Sequence, residues 1–343
     1  MSTTTTTKQC LTLSTPASQS GKPDRVVRKT RGSLGQFLQR EYLITHLLLC
    51  DNIGEGIILP LVSLVARFLP APHLLLTTPW PQLALILAKT LICFVGHLYV
   101  FEIVNQTLHV EEDRINKPFR PIPTGLLSMP GAYARWFLSW TLFPVAAGYL
   151  AGADAGYLLA AYQAWVFFCY GWPNFNHWLV RNAFPSVGAY NMFRLVDTIV
   201  QSEIPSFPVF STRVLLVWAA WVISTIHMQE FHDVEGDRRS NRKSFPVAVG
   251  PKGEPVLRVG TALLFVGSGV FLLANAAAST GNESWVVGGL VVSGLVYTWL
   301  SCILGSRLVR QAGVEFDRKT YKLYYVLVSY SMVCYLSFWQ VAK

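Results

Sequence analysis

The sequence predicts an all-α integral membrane protein with nine transmembrane helices, and three observations support this. Of the 343 residues, 52% are hydrophobic and only 14% are charged, which is too apolar for an ordinary soluble domain. Apolar runs of roughly 20 residues, long enough to cross a bilayer as helices, recur along the chain. The connecting loops alternate between basic loops and loops without Lys or Arg, as expected when positive charge stays on one side of a membrane.

The first 38 residues differ from the rest of the chain. They are rich in Ser and Thr and then in Lys and Arg, and they contain no apolar run, which argues against a secretory signal peptide. We therefore predict a disordered basic tail over 1–38 and a membrane domain over 39–343. Because the tail carries no convincing import signal, we expect the protein in the endoplasmic reticulum.

Each later apolar run is assigned to one helix. The fifth run is the least regular, because it carries Arg194 and Asp197. The predicted spans are 42–68, 83–108, 132–151, 155–173, 187–203, 212–232, 257–278, 284–304 and 321–341.

The loop charges predict the orientation of these spans. With a cytosolic N-terminus, every second loop is cytosolic, and those loops contain the basic residues. The opposite loops have no Lys or Arg and lie near 69–81, 152–154, 204–211 and 279–283. This topology accounts for the net charge of +9 without a nucleic-acid partner, and nothing in the sequence points to an obligatory protein partner.

Two acidic segments follow the second and sixth predicted spans, both on the predicted cytosolic side. The first acidic segment covers 105–120, and the second covers 230–243. Carboxylates are costly beside hydrocarbon, so two such segments in matching positions call for a functional explanation. We expect the two segments to meet and to form one site.

The spacing within each segment points to metal and diphosphate chemistry. Asn105, His109 and Asp113 are four residues apart, and Asp233 and Asp237 repeat that spacing, so on a helix each set shares one face. Carboxylates on two facing helices make a hard oxygen site suited to Mg²⁺, which shares phosphate oxygens. The remaining diphosphate charge would be held by Lys117, Arg120, Arg242 and Lys243.

Departure of a diphosphate leaves a carbocation, which needs a dry cavity lined by aromatic rings. The fourth span supplies a candidate lining of Tyr162, Trp165, Phe167, Phe168, Tyr170 and Trp172. The first span carries Asp51, Asn52 and Glu55. Polar groups at membrane depth usually face the interior of a bundle, so we expect these three at the cavity.

At these residues the chain resembles the UbiA superfamily of intramembrane prenyltransferases. That family has an N-x-x-x-D-x-x-x-D motif after its second helix and D-x-x-x-D after its sixth. Residues 113–125 are similar to the family's DRINKPxRPxPxG signature, and the likeness extends from about residue 40 onward. The resemblance implies nine helices around a central cavity, Mg²⁺ bound through diphosphate, and a lateral opening to lipid for the isoprenoid tail.

By this resemblance, Asn105, Asp113, Asp233 and Asp237 match positions that bind metal and diphosphate. Two departures stand out. His109 occupies a position where Asp is usual, and Glu112 is a candidate replacement carboxylate. Tyr170 matches the tyrosine of a Y-x-x-x-K motif whose lysine is missing, and Arg181 or Arg194 is the expected substitute.

Three functions stay open on these residues. The forms N-Q-x-x-x-x-x-E-D and Q-E-F-x-D-V-E-G-D look more like the fungal branch of the superfamily, which includes membrane terpene cyclases acting on farnesyl diphosphate. This favours sesquiterpene cyclisation in secondary metabolism. An aromatic prenyltransferase with a phenolic acceptor would use the same ionisation. A non-catalytic cation transporter is disfavoured, because a cation path would not place Arg and Lys beside its carboxylates.

Overall fold

The computed structural model describes residues 33–69, 71–173, 175–239, 241–278 and 284–334, and the regular structure in these ranges is helical. The helices are Leu34–Leu49 (α1), Leu59–Phe68 (α2), Pro72–Thr77 (α3), Trp80–Leu108 (α4), Val110–Asn116 (α5), Met129–Ala151 (α6), Ala153–Val166 (α7), Trp178–Glu203 (α8), Thr212–Thr225 (α9), Val234–Arg239 (α10), Phe245–Ala278 (α11), Ser284–Arg310 (α12) and Val314–Ser331 (α13).

Three helices in the described ranges are by themselves long and apolar enough to cross a membrane. They are Trp80–Leu108, Phe245–Ala274 and Val287–Arg310. The pair Leu34–Asn52 and Gly54–Phe68 also qualifies if it is taken together as one bent span. The protein is therefore an integral membrane protein, while the count of nine spans stays a prediction.

The first predicted span is not a straight helix. Its two halves meet at 79°, with a 3₁₀ turn over Cys50–Asn52 and a π-helical turn over Gly54–Ile58 between α1 and α2. A π-turn locally widens a helix and is a common origin of sharp bends. The bend places Asp51, Asn52 and Glu55 at the junction of the two halves.

Helix α4 forms the centre of the molecule and packs against α1, α6, α7 and α8. Phe94, Val100, Ile103 and Val104 on this helix are fully buried. Because α4 also carries Asn105 near its end, this packing fixes where the first acidic segment starts.

Helices α6 and α7 form a close antiparallel pair. Gly152 makes the turn between them with φ of 97°, a backbone conformation that costs other residues steric energy. A Cβ atom on Gly156 would lie 2.8 Å from the Pro144 carbonyl oxygen, so glycine lets the two backbones approach. Helices α11 and α12 form a second long pair.

The predicted tail needs one correction. Helix α1 begins at Leu34, and Ser33 caps it by accepting a hydrogen bond from the Gln36 backbone N–H. Residues 34–38 are therefore helical rather than part of a disordered tail, because a Ser three residues before Gln is a helix-start signal. The rest of the predicted tail, up to residue 32, lies outside the described residues.

Candidate active site

The two acidic segments lie at the same end of the helix bundle, where Arg242 joins them. Its Nη1 atom lies 2.9 Å from Glu112 Oε1 in the first segment and 3.8 Å from Asp237 Oδ1 in the second. The Arg242 backbone N–H also donates to the Asp237 carbonyl at 2.8 Å, which keeps the arginine close to α10. The two acidic segments, which follow helices α4 and α9, therefore meet.

The first acidic segment bends at His109, between α4 and α5. His109 has φ −115° and ψ 32°, outside the helical range. The backbone hydrogen bonds from His109 to Asn105 and from Asp113 to His109 nevertheless persist at 3.0 Å. Glu112 and Asp113 are consecutive residues of α5 and point about 100° apart, which leaves Glu112 at a cavity and Asp113 buried beside Arg120.

Arg120 is the centre of a buried ion network. Its Nη1 donates to both Asp113 carboxylate oxygens at 3.0 and 2.9 Å, and its Nε and Nη2 donate to Asp51 Oδ2 at 3.2 and 3.0 Å. Glu102 Oε2 lies 3.8 Å away, and Lys117 Nζ lies 3.1 Å from the same Asp51 oxygen. Burial alone would lower the pKa of Arg120, but the surrounding carboxylates raise it above its ordinary value, so the guanidinium stays charged.

This network corrects the expected role of Arg120. The side chain is only 2% exposed, and its hydrogen bonds go to Asp113 and Asp51 rather than into a cavity. Hydrogen bonds between charged groups are stronger than those between neutral ones, and Arg120 makes them to two carboxylates. In this structure Arg120 therefore positions carboxylates, whereas Lys117 has 39% of its side chain exposed.

A polar cavity opens beside Arg242. Glu112, Arg181, Arg242, Tyr170 and Phe184 are among the residues that line it. Four of these five were expected at the site from the sequence. The cavity thus has two guanidinium groups and one carboxylate in its wall, a composition suited to an anion that also carries metal ions.

Arg181 is held in this wall by Glu230. Its Nε lies 3.0 Å from Glu230 Oε1, and the other carboxylate oxygen accepts the Phe245 backbone N–H at 3.0 Å. Glu230 is 3% exposed, so a buried carboxylate with two donors fixes the arginine. Between the two arginines proposed to replace the missing lysine, the structure places Arg181 at the cavity.

Arg194, the other candidate, lies outside the lining of the polar cavity. It lies 13 residues further along α8 than Arg181, roughly 20 Å at about 1.5 Å per residue. There it donates to the Phe210 carbonyl at 2.8 Å and lies 3.3 Å from Asp197. Phe210 precedes α9, whereas Glu230 follows it, so the two arginines contact opposite ends of that helix.

The loop that carries Arg242 is fixed by Asn176. The Asn176 side-chain amide donates to the Asn241 carbonyl at 2.7 Å, and its Oδ1 accepts the Lys243 backbone N–H at 2.9 Å. The Lys243 side chain is exposed beside the cavity. Sequence reasoning missed Asn176, because a contact between two distant loops leaves no local pattern.

A second cavity, mostly apolar, lies deeper among the helices and adjoins the first at Phe184, which lines both. Its volume is about 140 Å³. Rings from several helices line it, and ring faces can stabilise a carbocation. They are Phe101, Tyr162, Phe184, Trp218, Tyr324 and Tyr325.

The aromatic residues of the fourth predicted span are only partly at these cavities. Tyr162 lines the apolar cavity and Tyr170 the polar one. Phe167, Phe168 and Trp172 are exposed on the outside of the molecule, where a membrane protein meets lipid. A helix buried on one side exposes its other side, and the sequence alone did not separate the two.

Asp233, Asp237 and Asn105 occupy different depths. Asp233 has 62% of its side chain exposed and lies 3.4 Å from His232, whereas Asp237, one turn later, is buried. Asn105 is half-buried near the end of α4, and its carbonyl lies 3.1 Å from His109 Nδ1. Asp233 is thus on the rim of the second segment, and Asp237 faces inward toward Arg242.

The donor atoms suit Mg²⁺ but do not form a metal cage. Within the described residues, no three His, Cys, Asp or Glu side chains converge closely enough to hold a metal ion. Glu112 and Asp237 instead share Arg242. Mg²⁺ commonly binds through one or two carboxylates and takes its other oxygens from water and phosphate. The fit is therefore to Mg²⁺ that arrives with a diphosphate.

Sequence reasoning also missed Glu102, a carboxylate in the middle of the apolar run of α4. It is 0% exposed. The side-chain amides of Gln106, at 3.1 Å, and of Asn52 donate to it. A charge inside a membrane-length apolar run is a signal that could have identified this residue.

The sequence is similar to those of known prenyltransferases and terpene cyclases. The sequence model of the UbiA prenyltransferase family matches residues 64–313. Polyprenyl transferase eriF of Hericium erinaceus is 30% identical over 278 residues, which are 79% of this chain and 81% of that protein. Diterpene cyclase eriG of the same organism is 28% identical, covering 66% and 68%. Somaliensene A/B synthase of Streptomyces somaliensis is 30% identical, covering 71% and 77%.

One solved structure shares the fold. It comes from a study of digeranylgeranylglyceryl phosphate synthase in membranes, and it matches with a TM-score of 0.58 and 15% identity. The match covers 88% of this chain and 99% of that one. At this identity the likeness concerns the fold alone.

Proposed function

The chain belongs to the UbiA prenyltransferase family of integral membrane enzymes that use prenyl diphosphates, and we propose that it ionises farnesyl diphosphate and cyclises the resulting cation. The diphosphate would bind in the polar cavity, and the isoprenoid chain would extend past Phe184 into the apolar cavity. The observation that carries this proposal is the contact of Arg242 with both acidic segments in the wall of the polar cavity, which adjoins the apolar cavity at Phe184.

The charges in the wall support a role for Mg²⁺. Arg181 is already paired with Glu230, and Arg242 with Glu112 and Asp237. A bare diphosphate would therefore meet arginines whose charge is largely neutralised. Mg²⁺ held by Glu112 and Asp237 would supply the positive charge that stabilises the leaving group. Asn105, Asp113 and Asp233 stay predicted ligands.

The protein's own cations complete that stabilisation. As the bond between carbon and the diphosphate oxygen breaks, negative charge grows on the leaving group, and fixed donors nearby lower the barrier. Arg181 and Arg242 line the cavity where this charge develops, and Lys117 and Lys243 stay predicted diphosphate ligands outside that lining. Tyr170 lies in the same wall and offers a hydroxyl.

A prenyl transfer is the second candidate, because one relative is a polyprenyl transferase. It would share the ionisation but pass the cation to a phenolic or related acceptor. The apolar cavity has several aromatic rings in its wall and few polar groups, which favours a cation that reacts with its own double bonds. We therefore propose sesquiterpene cyclisation in secondary metabolism ahead of transfer.

The transporter alternative has no support in this site. Its carboxylates are paired with arginines, an arrangement that would repel a passing cation. We also propose that the acidic segments face the cytosol, because the basic loops lie on that predicted side. The endoplasmic reticulum is proposed as the membrane.

One experiment separates the candidates. Membranes containing the protein are incubated with Mg²⁺ and farnesyl diphosphate and no acceptor, and in parallel with shorter and longer prenyl diphosphates. A cyclic hydrocarbon together with released diphosphate supports cyclisation. Turnover that appears only after a phenol is added supports transfer. No diphosphate release with any chain length would refute both.

A further inference from the structure

Glu55 is a carboxylate in the wall of the apolar cavity and belongs to neither acidic segment. It lies in the π-helical turn between α1 and α2 and is half-buried. It lines the apolar cavity, and it also lines a side pocket between this bend and α13. A carboxylate in such surroundings is costly and is usually functional.

Two tyrosines of α13 hold this carboxylate in place. The Tyr325 hydroxyl donates to Glu55 Oε1, and the Tyr321 hydroxyl lies 3.3 Å from the same oxygen and 3.3 Å from Gln229 Oε1. In the part of the chain that the structure describes, both side-chain hydrogen bonds to Glu55 therefore go to one oxygen. A carboxyl oxygen accepts hydrogen bonds from hydroxyl groups, so the two tyrosines fix the position of the Glu55 side chain.

We propose that Glu55 accepts the proton that the carbocation loses when the reaction ends, an inference that rests on the proposed function. A C–H bond next to the cationic carbon breaks, and its electron pair forms the new C=C double bond. The proton goes to the Glu55 carboxylate, which becomes a carboxylic acid. It then passes to water through the side pocket, which Asp51 also lines.

The position of Glu55 suits this step better than the groups of the polar cavity do. Carboxylates there are engaged by arginines, as Glu112 is by Arg242. Among the described residues, Glu55 is hydrogen-bonded by neutral hydroxyl groups and not by an arginine, so no fixed cation competes for its oxygens. The aromatic rings of Tyr324 and Phe101 line the same cavity, so the cation and the base share one space. A transfer reaction also releases a proton and would need the same base.

The test compares Glu55→Gln with the wild-type protein, as full-length chains in membranes with farnesyl diphosphate and Mg²⁺. Glutamine keeps an oxygen that accepts the tyrosine hydrogen bonds but cannot take up the proton. Diphosphate release should stay within about threefold. Hydrocarbon formation should fall by roughly 10²-fold or more, the usual contribution of a positioned base, and alcohols formed by water capture should replace it. Glu55→Asp should restore part of the hydrocarbon.

Glu203→Gln is the matched control, because Glu203 is also a partly buried glutamate but pairs with Lys89 away from both cavities. It should leave the ratio of hydrocarbon to diphosphate unchanged. An unchanged ratio in Glu55→Gln would overturn the assignment of Glu55 while leaving the proposed function standing. Absence of diphosphate release in the wild-type protein would instead overturn the proposed function, and this inference with it.

If Glu55→Gln does not fold, as judged by thermal unfolding in detergent, Tyr325→Phe provides the second test. It removes a hydroxyl that positions Glu55 and keeps the carboxylate. A shift of products from hydrocarbon toward alcohol is expected, and an unchanged product ratio in a folded Tyr325→Phe protein would overturn the proposal.

Discussion

Replacing Arg242 with glutamine should separate catalysis from stability at the candidate site. Arg242 contacts Glu112 at 2.9 Å and lies 3.8 Å from Asp237, with 33% of its side chain exposed. Ion pairs with this much solvent contribute about 0–1 kcal/mol to folding, so the free energy of unfolding should fall by no more than about 1 kcal/mol.

The expected loss in catalysis is larger. A fixed donor at the place where negative charge develops is typically worth roughly 10²–10³ in kcat, or about 2.7–4 kcal/mol. The Arg242 guanidinium lines the polar cavity together with Arg181, so it is placed to meet the departing diphosphate. We therefore expect kcat for diphosphate release to fall by about 10²-fold, with a small change in Tm.

The assay is diphosphate release from farnesyl diphosphate by purified protein in lipid, with thermal unfolding measured on the same preparation. Arg239→Gln is the control. Like Arg242, Arg239 pairs with an acidic residue of α10, in this case Glu235 at 3.0 Å, but 78% of its side chain is exposed. Arg239→Gln should change the free energy of unfolding by no more than about 0.5 kcal/mol and leave kcat for diphosphate release unchanged. A kcat within threefold of wild type in Arg242→Gln would refute the reasoning, as would an equal loss in Arg239→Gln.

Other changes test the remaining assignments. Asp233→Asn should cut kcat by about 10²-fold without lowering Tm, because its side chain is 62% exposed; full activity would remove it from the metal site. Asp113→Asn should lower both kcat and Tm, since breaking a buried pair with Arg120 costs about 3–5 kcal/mol; an unchanged Tm would contradict the buried pair. EDTA should stop diphosphate release and added Mg²⁺ restore it, whereas release that persists in EDTA would exclude a metal role. Arg194→Gln should lower Tm but leave the KM for prenyl diphosphate unchanged, and a tenfold rise in KM would return Arg194 to the site.

The family and the membrane class followed from features that are local in sequence. Long apolar runs and the motif from residue 113 to 125 are readable without any knowledge of packing, and the match of the family model over 64–313 confirmed the resemblance. The expectation that Asn52 and Glu55 lie at a cavity was also correct, since both line the apolar one. The cost of placing polar groups in hydrocarbon was enough for that inference.

Side-chain directions could not be predicted in the same way. The helical spacing of Asn105, His109 and Asp113 suggested one shared face, yet the backbone bends at His109. Likewise α9 ends at Thr225 and continues as a 3₁₀ turn, so Glu230 does not continue the face of that helix. Such breaks change the residues per turn, and they depend on which helices pack nearby.

Hydrophobicity and motif spacing are properties of consecutive residues, so they were enough to predict a membrane protein with two acidic segments and the signature of a prenyl diphosphate enzyme. The packing of the helices was needed to show that Arg120 holds carboxylates, that Arg181 rather than Arg194 lines the polar cavity, and that Glu55 lines the apolar one. These outcomes depend on the 79° bend of the first span and on contacts between residues far apart in the chain, which no local pattern records.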